Sequence, residues 1–518
     1  AYQGIVQVIN GGTISNAIAG IRAGRYENPT ESGGTGNHEF TGGIVQVDGG
    51  VFLNNRIAIE FLSYSQTGVS YIRNSTFENT SIMPASIEPL YFVMLKGINI
   101  QDISNCQFIN HRTWLDANDP ARGSGIYAMN SKLYNKCSSL QTPCPPTEYY
   151  PNTFTNLFRG ISASNVGVFR TVSIISNAFE NNYRSLYLSG VVNARITSNE
   201  FIINTPFVEN GGYGMYLDGC SGYWVEDNEF RHNGSNATGI GLIVNNSGKD
   251  PNEIYRNRFI NLEQGISAQG DNKDPESNSG LQILCNDFVD TWADILVPNP
   301  EEERGLGIAA HQGADSQNPQ HTAGNLFHHH TSVDFNDINN EGEDIIYYVP
   351  ENVDQQYLRV YPLEYTVNTV TVIEVMLLDD WTYNDGCPCR LEYGGGGHEE
   401  EMKQQMAESG QQAHALQETL ELMIDAGDSE SLFWDVYMST SPEAMQVYQE
   451  LMTASPYLSD TVVSAAIVKE DVLIDAMLRD IMVANPHTAK SGKLLEELDQ
   501  RWTPLPEYMK AQIMQGKS

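Results

Sequence analysis

Apolar and polar residues alternate in short runs along the first two thirds of the chain, and Asn and Gly separate the runs. GIVQVINGG at residues 4–12 and GIVQVDGG at residues 43–50 show this pattern and nearly repeat each other. Alternation with a period of two is typical of a β-strand with one buried face. Asn and Gly tolerate the left-handed backbone of tight turns. The pattern therefore predicts many short strands joined by turns.

One short phrase, an apolar residue followed two positions later by Asn, recurs through this region. The phenylalanines at 201, 230, 259 and 288 are spaced by 29 residues, and the step before them, from Phe179 to Phe201, is 22 residues. A repeat of this length with uneven insertions is typical of a solenoid, in which each coil buries its inner face against its neighbours. We therefore predict a right-handed parallel β-helix over residues 1–350.

Two columns of residues follow from this register. A second Asn stands two positions before each phenylalanine, so both residues should stack from coil to coil. The predicted core stack comprises Phe179, Phe201, Phe230, Phe259 and Phe288. The predicted ladder of hydrogen-bonded Asn side chains comprises Asn177, Asn199, Asn228, Asn257 and Asn286. Both columns are assigned structural roles.

The pattern changes after residue 350. Residues 351–393 are rich in Val, Thr and Tyr and include the sequence CPC at 387–389, which favours a short β-strand cap or linker. Residues 394–518 begin with four glycines, a predicted joint. Apolar residues then recur at helical spacing, which predicts an all-α domain of short helices. Ser441 and Pro442 are expected at the start of one helix, and Pro486 at the end of another.

The chain carries 65 acidic and 29 basic side chains, a formal net charge of −36. Nucleic acids and anionic membrane surfaces recruit Lys and Arg, so neither is an expected partner. No apolar run approaches the ~20 residues of a membrane span, so no membrane insertion is expected. No signal peptide opens the sequence, which favours a mature or internal piece of a longer protein. An acidic surface suits an extracellular setting, where salt screens its self-repulsion.

The seven cysteines indicate whether the protein functions in an oxidising or a reducing compartment. Cys137 and Cys144 flank a short segment and are the disulfide candidates, because a loop of this kind is readily cross-linked where conditions are oxidising. Cys106, Cys220 and Cys285 lie in strand-like runs and are interpreted as buried, reduced thiols. The cysteine spacings do not match a zinc site, so no metal is assigned.

Acidic and aromatic residues cluster around residues 213–229 and are the candidates for chemistry. Asp218, Glu226, Asp227 and Glu229 are the catalytic candidates, since polysaccharide hydrolysis uses a pair of carboxyl groups on one face. Tyr213, Tyr216, Tyr223 and Trp224 are the ligand-binding candidates, because aromatic rings stack on sugars. The competing interpretation, solvated acids and partly buried aromatics, is favoured, and a non-enzymatic chain is expected.

Two further patterns suggest metal ligands. His328, His329 and His330 are consecutive, and consecutive residues of a strand point to opposite faces, so they are interpreted as solvated or stacking side chains. Asp380 and Asp385 suggest calcium without the spacing of an EF-hand. No cofactor is therefore expected, with calcium as the one alternative.

Residues 1–345 resemble the right-handed β-helix proteins of the pectate-lyase-like superfamily, although the pectinase-like phrases NTD, GHG and RIK are absent. The phrase AGNLF, the CPC segment and the tail SPYLSDTVV…AMLRDIMVANP…RWTPLPEYM resemble very large secreted proteins of Bacteroidota, which usually end in a type IX secretion sorting domain. The resemblance implies a location at the cell surface and does not imply a reaction.

The leading hypothesis is a structural or adhesive segment of a giant secreted protein: an adhesin, a stalk or a subunit of an extracellular appendage. Copies of the same chain, further domains of it, or a cell-surface glycan are the expected partners. The alternatives are a carbohydrate-active β-helix enzyme, either a lyase or a hydrolase, and a glycan-binding module.

Overall fold

A computed structural model describes residues 4–24, 43–64, 69–84, 86–100, 102–136, 150–166, 170–204, 212–234, 237–298, 307–329, 335–351, 353, 359–377, 381–390 and 424–515. The chain divides into two compact units, Ala1–Glu392 and Tyr393–Ser518. Within the described ranges, no helix is both long and apolar enough to cross a membrane.

The first unit is a parallel β-solenoid, and its strands are numbered in chain order. In the part of the chain that the structure describes, three long parallel sheets contain 10, 11 and 11 strands, and a fourth contains 3. Each coil contributes one strand to each long sheet, so neighbouring strands within a sheet are three apart in the chain order. This arrangement confirms the mainly β, parallel solenoid architecture.

The first sheet contains β1 (Ile5–Ile9), β4 (Ile44–Asp48), β7 (Tyr71–Arg73), β10 (Ile103–Ser104), β13 (Leu133–Lys136), β16 (Val172–Ile175), β19 (Arg195–Thr197), β22 (Trp224–Glu226), β25 (Glu253–Tyr255) and β28 (Gln282–Leu284). The second sheet contains β2 (Thr13–Ser15), β5 (Val51–Leu53), β8 (Thr76–Asn79), β11 (Gln107–Asn110), β14 (Thr153–Thr155), β17 (Ala178–Glu180), β20 (Glu200–Ile202), β23 (Glu229–Arg231), β26 (Arg258–Ile260), β29 (Asp287–Val289) and β32 (Leu326–His328).

The third sheet contains β3 (Ala19–Ala23), β6 (Ile57–Phe61), β9 (Tyr91–Lys96), β12 (Ser124–Met129), β15 (Arg159–Ser164), β18 (Arg184–Ser189), β21 (Tyr213–Asp218), β24 (Ile240–Asn245), β27 (Gln264–Gln269), β30 (Ala293–Val297) and β33 (Asn336–Asn340). The short fourth sheet contains β31 (His311–Gln312), β34 (Ile345–Pro350) and β35 (Val370–Val375), all parallel.

The corner between the first and second sheets explains why Asn forms a column. A residue with positive φ, such as Asp227 (φ 53) or Arg256 (φ 54), directly precedes the asparagines of this column from Asn177 onward and turns the chain sharply. The next residue then points inward, where only a side chain that satisfies backbone groups is tolerated. Hydrogen bonds join Asn152, Asn177, Asn199, Asn228, Asn257, Asn286 and Asn325 in series, with amide-to-oxygen distances of 2.9–3.1 Å.

Phenylalanine rings of the second sheet stack along the core. Ten of them, from Phe52 to Phe327 in the described coils, lie in successive contact, and their neighbouring centroids are 4.6–5.9 Å apart. Glycine faces these rings from the third sheet in most central coils. A Cβ added at Gly241 would lie 2.7 Å from the carbonyl oxygen of Gly265 and 2.7 Å from Phe259 Cδ1. The ring stack therefore requires the absence of a side chain there.

A strap comprising residues 381–390 packs on the flank of the solenoid. It contains a single-turn helix, α1 (Tyr383–Gly386), capped by Thr382. Cys387 forms a disulfide with Cys285 of the solenoid. The interpretation of Cys285 as a reduced thiol is therefore wrong, because the corner it occupies lies against the strap. Cys106 and Cys220 are buried free thiols, and burial raises the pKa of each to about 12.

The second unit is helical, as the sequence predicts. The described residues contain α2 (Ser429–Met438), α3 (Ala444–Ala454), α4 (Asp460–Val468), α5 (Asp475–Ala484), α6 (Gly492–Asp499) and α7 (Glu507–Met514), with a core of Leu, Ile, Val and Met side chains. The helix α2, whose N-cap is Asp428, is not among those predicted from the sequence. Thr440 is the cap residue before α3, so Ser441 is one residue inside the turn rather than the cap itself. Pro486 follows α5 as expected.

Three predictions concern residues outside the described ranges. They are the disulfide between Cys137 and Cys144, the joint at the four glycines 394–397, and most of the helix predicted over residues 398–427, of which the structure describes only residues 424–427.

Candidate functional site

The outer face of the third sheet carries the densest group of aromatic side chains among the candidates. Strand pairing aligns Tyr187 of β18 with Tyr216 of β21, and Arg184 with Tyr213. Ring contacts and a small hydrophobic cluster, separate from the main core, place these side chains on the face opposite the phenylalanine stack, where Tyr187 and Tyr216 are partly exposed and Tyr213 is buried. Tyr213 and Tyr216, both predicted as ligand-binding residues, therefore lie side by side on one face, which we call the tyrosine face.

Ring contacts hold the tyrosine face together. The centroids of Tyr187 and Tyr216 are 5.6 Å apart, and those of Tyr213 and Tyr216 are 5.4 Å apart, both in tilted arrangements. Arg184 lies over the ring of Tyr213 at 5.5 Å, and Arg159 lies over that of Tyr187 at 5.9 Å. Such arginine–ring contacts are attractive and orient the guanidinium groups. The face is therefore an ordered surface of rings and cations.

Asp218 lies at the edge of the tyrosine face and serves as an acceptor. Its Oδ2 accepts a hydrogen bond from the Tyr187 hydroxyl at 3.0 Å, and its Oδ1 accepts one from the Asn245 amide at 2.8 Å. A carboxylate whose oxygens are engaged in this way positions its neighbours. It is poorly placed to exchange protons with a substrate.

The tyrosine hydroxyls of this face are neutral at physiological pH. Burial raises the pKa of Tyr187, Tyr213 and Tyr216 above the usual value for a phenol, and the carboxylate of Asp218 adds to the rise for Tyr187 and Tyr216. A neutral phenol both donates and accepts hydrogen bonds, as the hydroxyl groups of a sugar do.

Tyr223 and Trp224 lie elsewhere. Tyr223 is buried in the main core, and Trp224 is exposed on the first sheet, where Arg195 lies over its ring at 5.8 Å. On sequence alone, these two are grouped with Tyr213 and Tyr216 because all four are close in the chain. A coil of the solenoid turns twice within this stretch, so the four residues do not form one surface.

The four acidic candidates are separated in the same way. Asp218 ends β21 of the third sheet, Glu226 ends β22 of the first sheet, and Glu229 begins β23 of the second. Asp227 occupies the corner between the last two and pairs with Arg256 at 3.0 Å. Glu229 pairs with Arg231 at 3.2 Å on the outer surface. The acids therefore do not converge on one groove, which inverting hydrolysis would require.

Glu226 has the most perturbed environment of the four. It is fully buried beneath the strap, where Oε1 accepts a hydrogen bond from the backbone N–H of Arg390 at 3.2 Å. Burial raises its pKa to about 7, and Asp227 adds to the rise, while Arg390 opposes it. A perturbed carboxyl is a common sign of a functional site. Here the strap covers it.

The consecutive histidines His328 and His329 point in different directions, as expected for neighbouring residues of a strand. His328 is half-exposed and its Nδ1 lies 2.8 Å from Asp287, whereas the side chain of His329 is buried. His330 and Asp380 lie outside the described residues. Asp385 accepts a hydrogen bond from the hydroxyl of Thr382, which also lies in the strap. It forms no calcium loop with the described residues around it.

Sequence reasoning missed two buried acids, Asp294 and Asp337, that face His329. The pKa of Asp294 rises to about 8 because of burial, which the contact with His329 partly offsets. Burial lowers the pKa of His329, but its bonds to Asp294 and Asp337 outweigh this and raise the pKa to about 9. Strand register aligns Asp294 with Gly265 of the preceding coil. Most coils have Gly at this position of the third sheet, so the Asp found there is the signal that could have identified the cluster.

Comparison with known proteins identifies no relative. No protein-family model, no curated protein and no solved structure matches the chain. Functional inference therefore depends on the geometry described above.

Proposed function

We propose that this chain is a non-enzymatic, adhesive segment of a secreted cell-surface protein, and that its tyrosine face binds glycans. The observation that carries the proposal is the cluster of Tyr187, Tyr213 and Tyr216 with Arg159 on the outer face of the third sheet. Rings supply flat apolar surfaces for the C–H faces of sugars, and polar groups around the rings bind the hydroxyls.

Arg159 supports this assignment. Its guanidinium lies over two rings, Phe158 at 5.4 Å and Tyr187 at 5.9 Å. Within the described part of the chain, Arg159 forms no ion pair with a carboxylate. A stacked cation without a carboxylate partner is suited to hydroxyl or carboxylate oxygens of a sugar chain.

Support for an adhesive rather than a catalytic role comes from the separation of the acidic residues onto three sheets. The acidic surface and the resemblance to very large type IX secreted proteins of Bacteroidota add an expected location at the cell surface. A carbohydrate-active enzyme is the second candidate, and the raised pKa of Glu226 is the observation in its favour.

The test is glycan binding by the full chain, measured on an array and then by calorimetry with neutral and acidic polysaccharides. Tyr216→Ala should weaken binding by about tenfold, which is roughly 1.4 kcal/mol, whereas Tyr216→Phe should retain most of it. Trp224→Ala is the matched control, because it removes an exposed aromatic ring from another sheet. Circular dichroism checks that each variant is folded.

Two results would overturn the proposal. Absence of binding to every glycan, or loss of binding with Trp224→Ala alone, would exclude the tyrosine face. Cleavage of a polysaccharide by the wild-type chain, abolished by Glu226→Gln, Asp218→Ala or Asp227→Ala, would instead establish the enzyme.

A further inference from the structure

Three ionisable side chains meet in the interior near the end of the three long sheets. Asp294 comes from β30, Asp337 from the adjacent β33, and His329 directly follows β32. The side chains of both aspartates are fully buried, and that of His329 is 3% exposed. Burying two carboxylates costs several kcal/mol unless a positive charge compensates them, on the order of the penalties for buried ions.

A single nitrogen atom faces both carboxylates. His329 Nε2 lies 3.1 Å from Oδ2 of Asp294 and 2.9 Å from Oδ1 of Asp337. One nitrogen carries at most one proton, so it cannot donate a full hydrogen bond to each. Oδ1 of Asp294 and Nδ1 of His329 have no hydrogen-bond partner within the described chain. Hydrogen bonding alone therefore leaves this cluster incomplete.

The surroundings fix the two groups on either side of Nε2. Oδ2 of Asp337 accepts hydrogen bonds from Arg359 Nη2 at 3.0 Å and from the backbone N–H of Leu363 at 2.6 Å. This leaves Oδ1 directed at His329. The imidazole ring is stacked on Phe335 with centroids 4.0 Å apart, which fixes its orientation. Partners behind a ligand that orient it in this way are typical of metal sites.

The position of the two acids is also specific. Strand register places Asp294 opposite Gly265 in the preceding coil and opposite Asp337 in the following one. Gly or another small residue fills this inner column in the central coils, where the phenylalanine rings need the space. Two stacked carboxylates replace it only at this end of the solenoid.

The donor set and the two distances from the histidine nitrogen fit a transition metal. Ligand atoms bound about 2.1 Å from one ion lie about 3.0–3.4 Å apart in octahedral or tetrahedral geometry. The two distances from His329 Nε2, 3.1 and 2.9 Å, agree with that spacing. One ligand atom from each of the three residues lies within 4.8 Å of the others. A set of one imidazole and two carboxylates suits zinc or manganese better than calcium or magnesium, which prefer oxygen ligands only.

We propose that Asp294, His329 and Asp337 bind one divalent transition-metal ion such as zinc, and that this ion cross-links the last coils of the solenoid. The ion replaces the proton shared by the three groups and compensates the carboxylate of Asp294, whereas Asp337 is also paired with Arg359. Because the cluster is buried, its role is structural, and it is independent of glycan binding at the tyrosine face.

The experiment measures metal content in the full chain, purified without a histidine tag. The protein is stripped with a chelator, titrated with Zn²⁺ or Co²⁺, and analysed by elemental mass spectrometry, and Co²⁺ absorption reports the ligand field. The wild type should retain about one equivalent, and Zn²⁺ should raise its thermal midpoint. His329→Gln and Asp294→Asn should lower affinity by more than about 100-fold, beyond the loss typical of changes behind the ligands.

His328→Gln is the matched control, because the adjacent histidine is half-exposed and pairs with Asp287 outside the cluster. It should bind one equivalent like the wild type. Failure of the stripped wild type to bind either ion would overturn the proposal, as would full occupancy in both His329→Gln and Asp294→Asn. Circular dichroism of the metal-free variants shows whether they fold, and the wild-type result decides the question if they do not.

Discussion

Asn228 donates from Nδ2 to Oδ1 of Asn257 at 2.9 Å, and the same oxygen accepts the backbone N–H of Asn228 at 3.0 Å. Each amide of the ladder therefore satisfies both the side chain and the backbone of the coil before it. Because the residues are buried, no water can replace these partners. The ladder supplies the hydrogen bonds that the sharp corner takes away from the strands.

Removal of one rung should be costly. Asn228→Ala leaves the side-chain and backbone donors of Asn199 without their acceptor, and each unsatisfied buried group costs about 1–3 kcal/mol. We expect a loss of roughly 3–5 kcal/mol in the free energy of unfolding of the first unit, measured by chemical denaturation. Asn233→Ala, at an exposed site, should change it by less than about 0.5 kcal/mol. Equal effects of the two variants would contradict a structural ladder.

The glycine column opposite the phenylalanine rings makes a second prediction. Gly241→Ala would place a methyl group 2.7 Å from the carbonyl oxygen of Gly265 and 2.7 Å from the ring of Phe259. Neither neighbour can move without disturbing the stack, so we expect a loss of about 1–3 kcal/mol, as for other overpacked cores. The measurement is the thermal midpoint of the first unit.

Gly219 provides the control for this substitution. It has a positive φ of 57°, and an added Cβ meets nothing within 4 Å. Gly219→Ala should therefore cost only the backbone strain of about 1–2 kcal/mol and leave the ring stack unchanged. A near-ultraviolet spectrum altered by Gly219→Ala but not by Gly241→Ala would contradict this explanation.

The two columns illustrate which features the sequence reveals. Phe201 and Phe230, or Asn199 and Asn228, recur at equal spacing, so stacking could be predicted from the repeat alone. The separation of Asp218 from Glu226 could not be predicted from the sequence, because each coil places residues that are close in the chain on different sheets. Contacts such as Cys285 with Cys387 were hidden for another reason: they join segments 102 residues apart and have no period.

The same reason explains the missed Asp–His–Asp cluster. Asp294 and Asp337 are adjacent in the third sheet because β30 pairs with β33 in the regular strand order, but the chain between these two strands is longer than the usual repeat and hides this pairing from the residue spacing. His329 reaches them from the end of the second sheet. Long-range register of this kind cannot be inferred from the local pattern of residues, although the replacement of Gly by Asp in one column is visible once the coils are aligned.

The disulfide should anchor the strap to the solenoid. Besides the bond to Cys285, Tyr255 donates to the carbonyl of Pro388 at 2.8 Å, and Arg390 pairs with Glu253 at 2.7 Å. A cross-link over 102 residues stabilises by about 2–5 kcal/mol on the usual scale. Cys387→Ser should therefore lower the thermal midpoint and expose the strap to limited proteolysis. Cys389→Ser, which leaves the disulfide intact, should not.

Reduction offers an independent check of the same bond. A reductant should lower the midpoint of the wild type and of Cys389→Ser to that of Cys387→Ser. When Cys137 and Cys144, the predicted second disulfide, are replaced by Ser in every variant, the reductant should leave Cys387→Ser unchanged, since its other described cysteines in the first unit are free. A midpoint of the wild type that does not respond to reductant would argue against a stabilising disulfide.

Glu226 beneath the strap should make the stability of the first unit depend on pH. Burial, with Asp227, raises its pKa from 4.5 to about 7 in the folded chain. The folded state then binds more protons than the unfolded state between these values. The contribution of Glu226 is therefore fully present below about pH 4.5 and is lost as pH rises through about 7. The loss is roughly 2–4 kcal/mol, given about 1.4 kcal/mol for each pKa unit.

The variant Glu226→Gln isolates this effect, because glutamine keeps the shape and cannot ionise. The difference in free energy of unfolding between Glu226→Gln and the wild type should be small at pH 4.5 and should grow in favour of the variant up to pH 8. Glu229→Gln, which alters an acid on the outer surface of the next strand, should show no such growth between pH 5 and 8. A constant difference for Glu226→Gln across this range would mean that the carboxyl is ionised in the folded protein, so that the strap does not shield it from water.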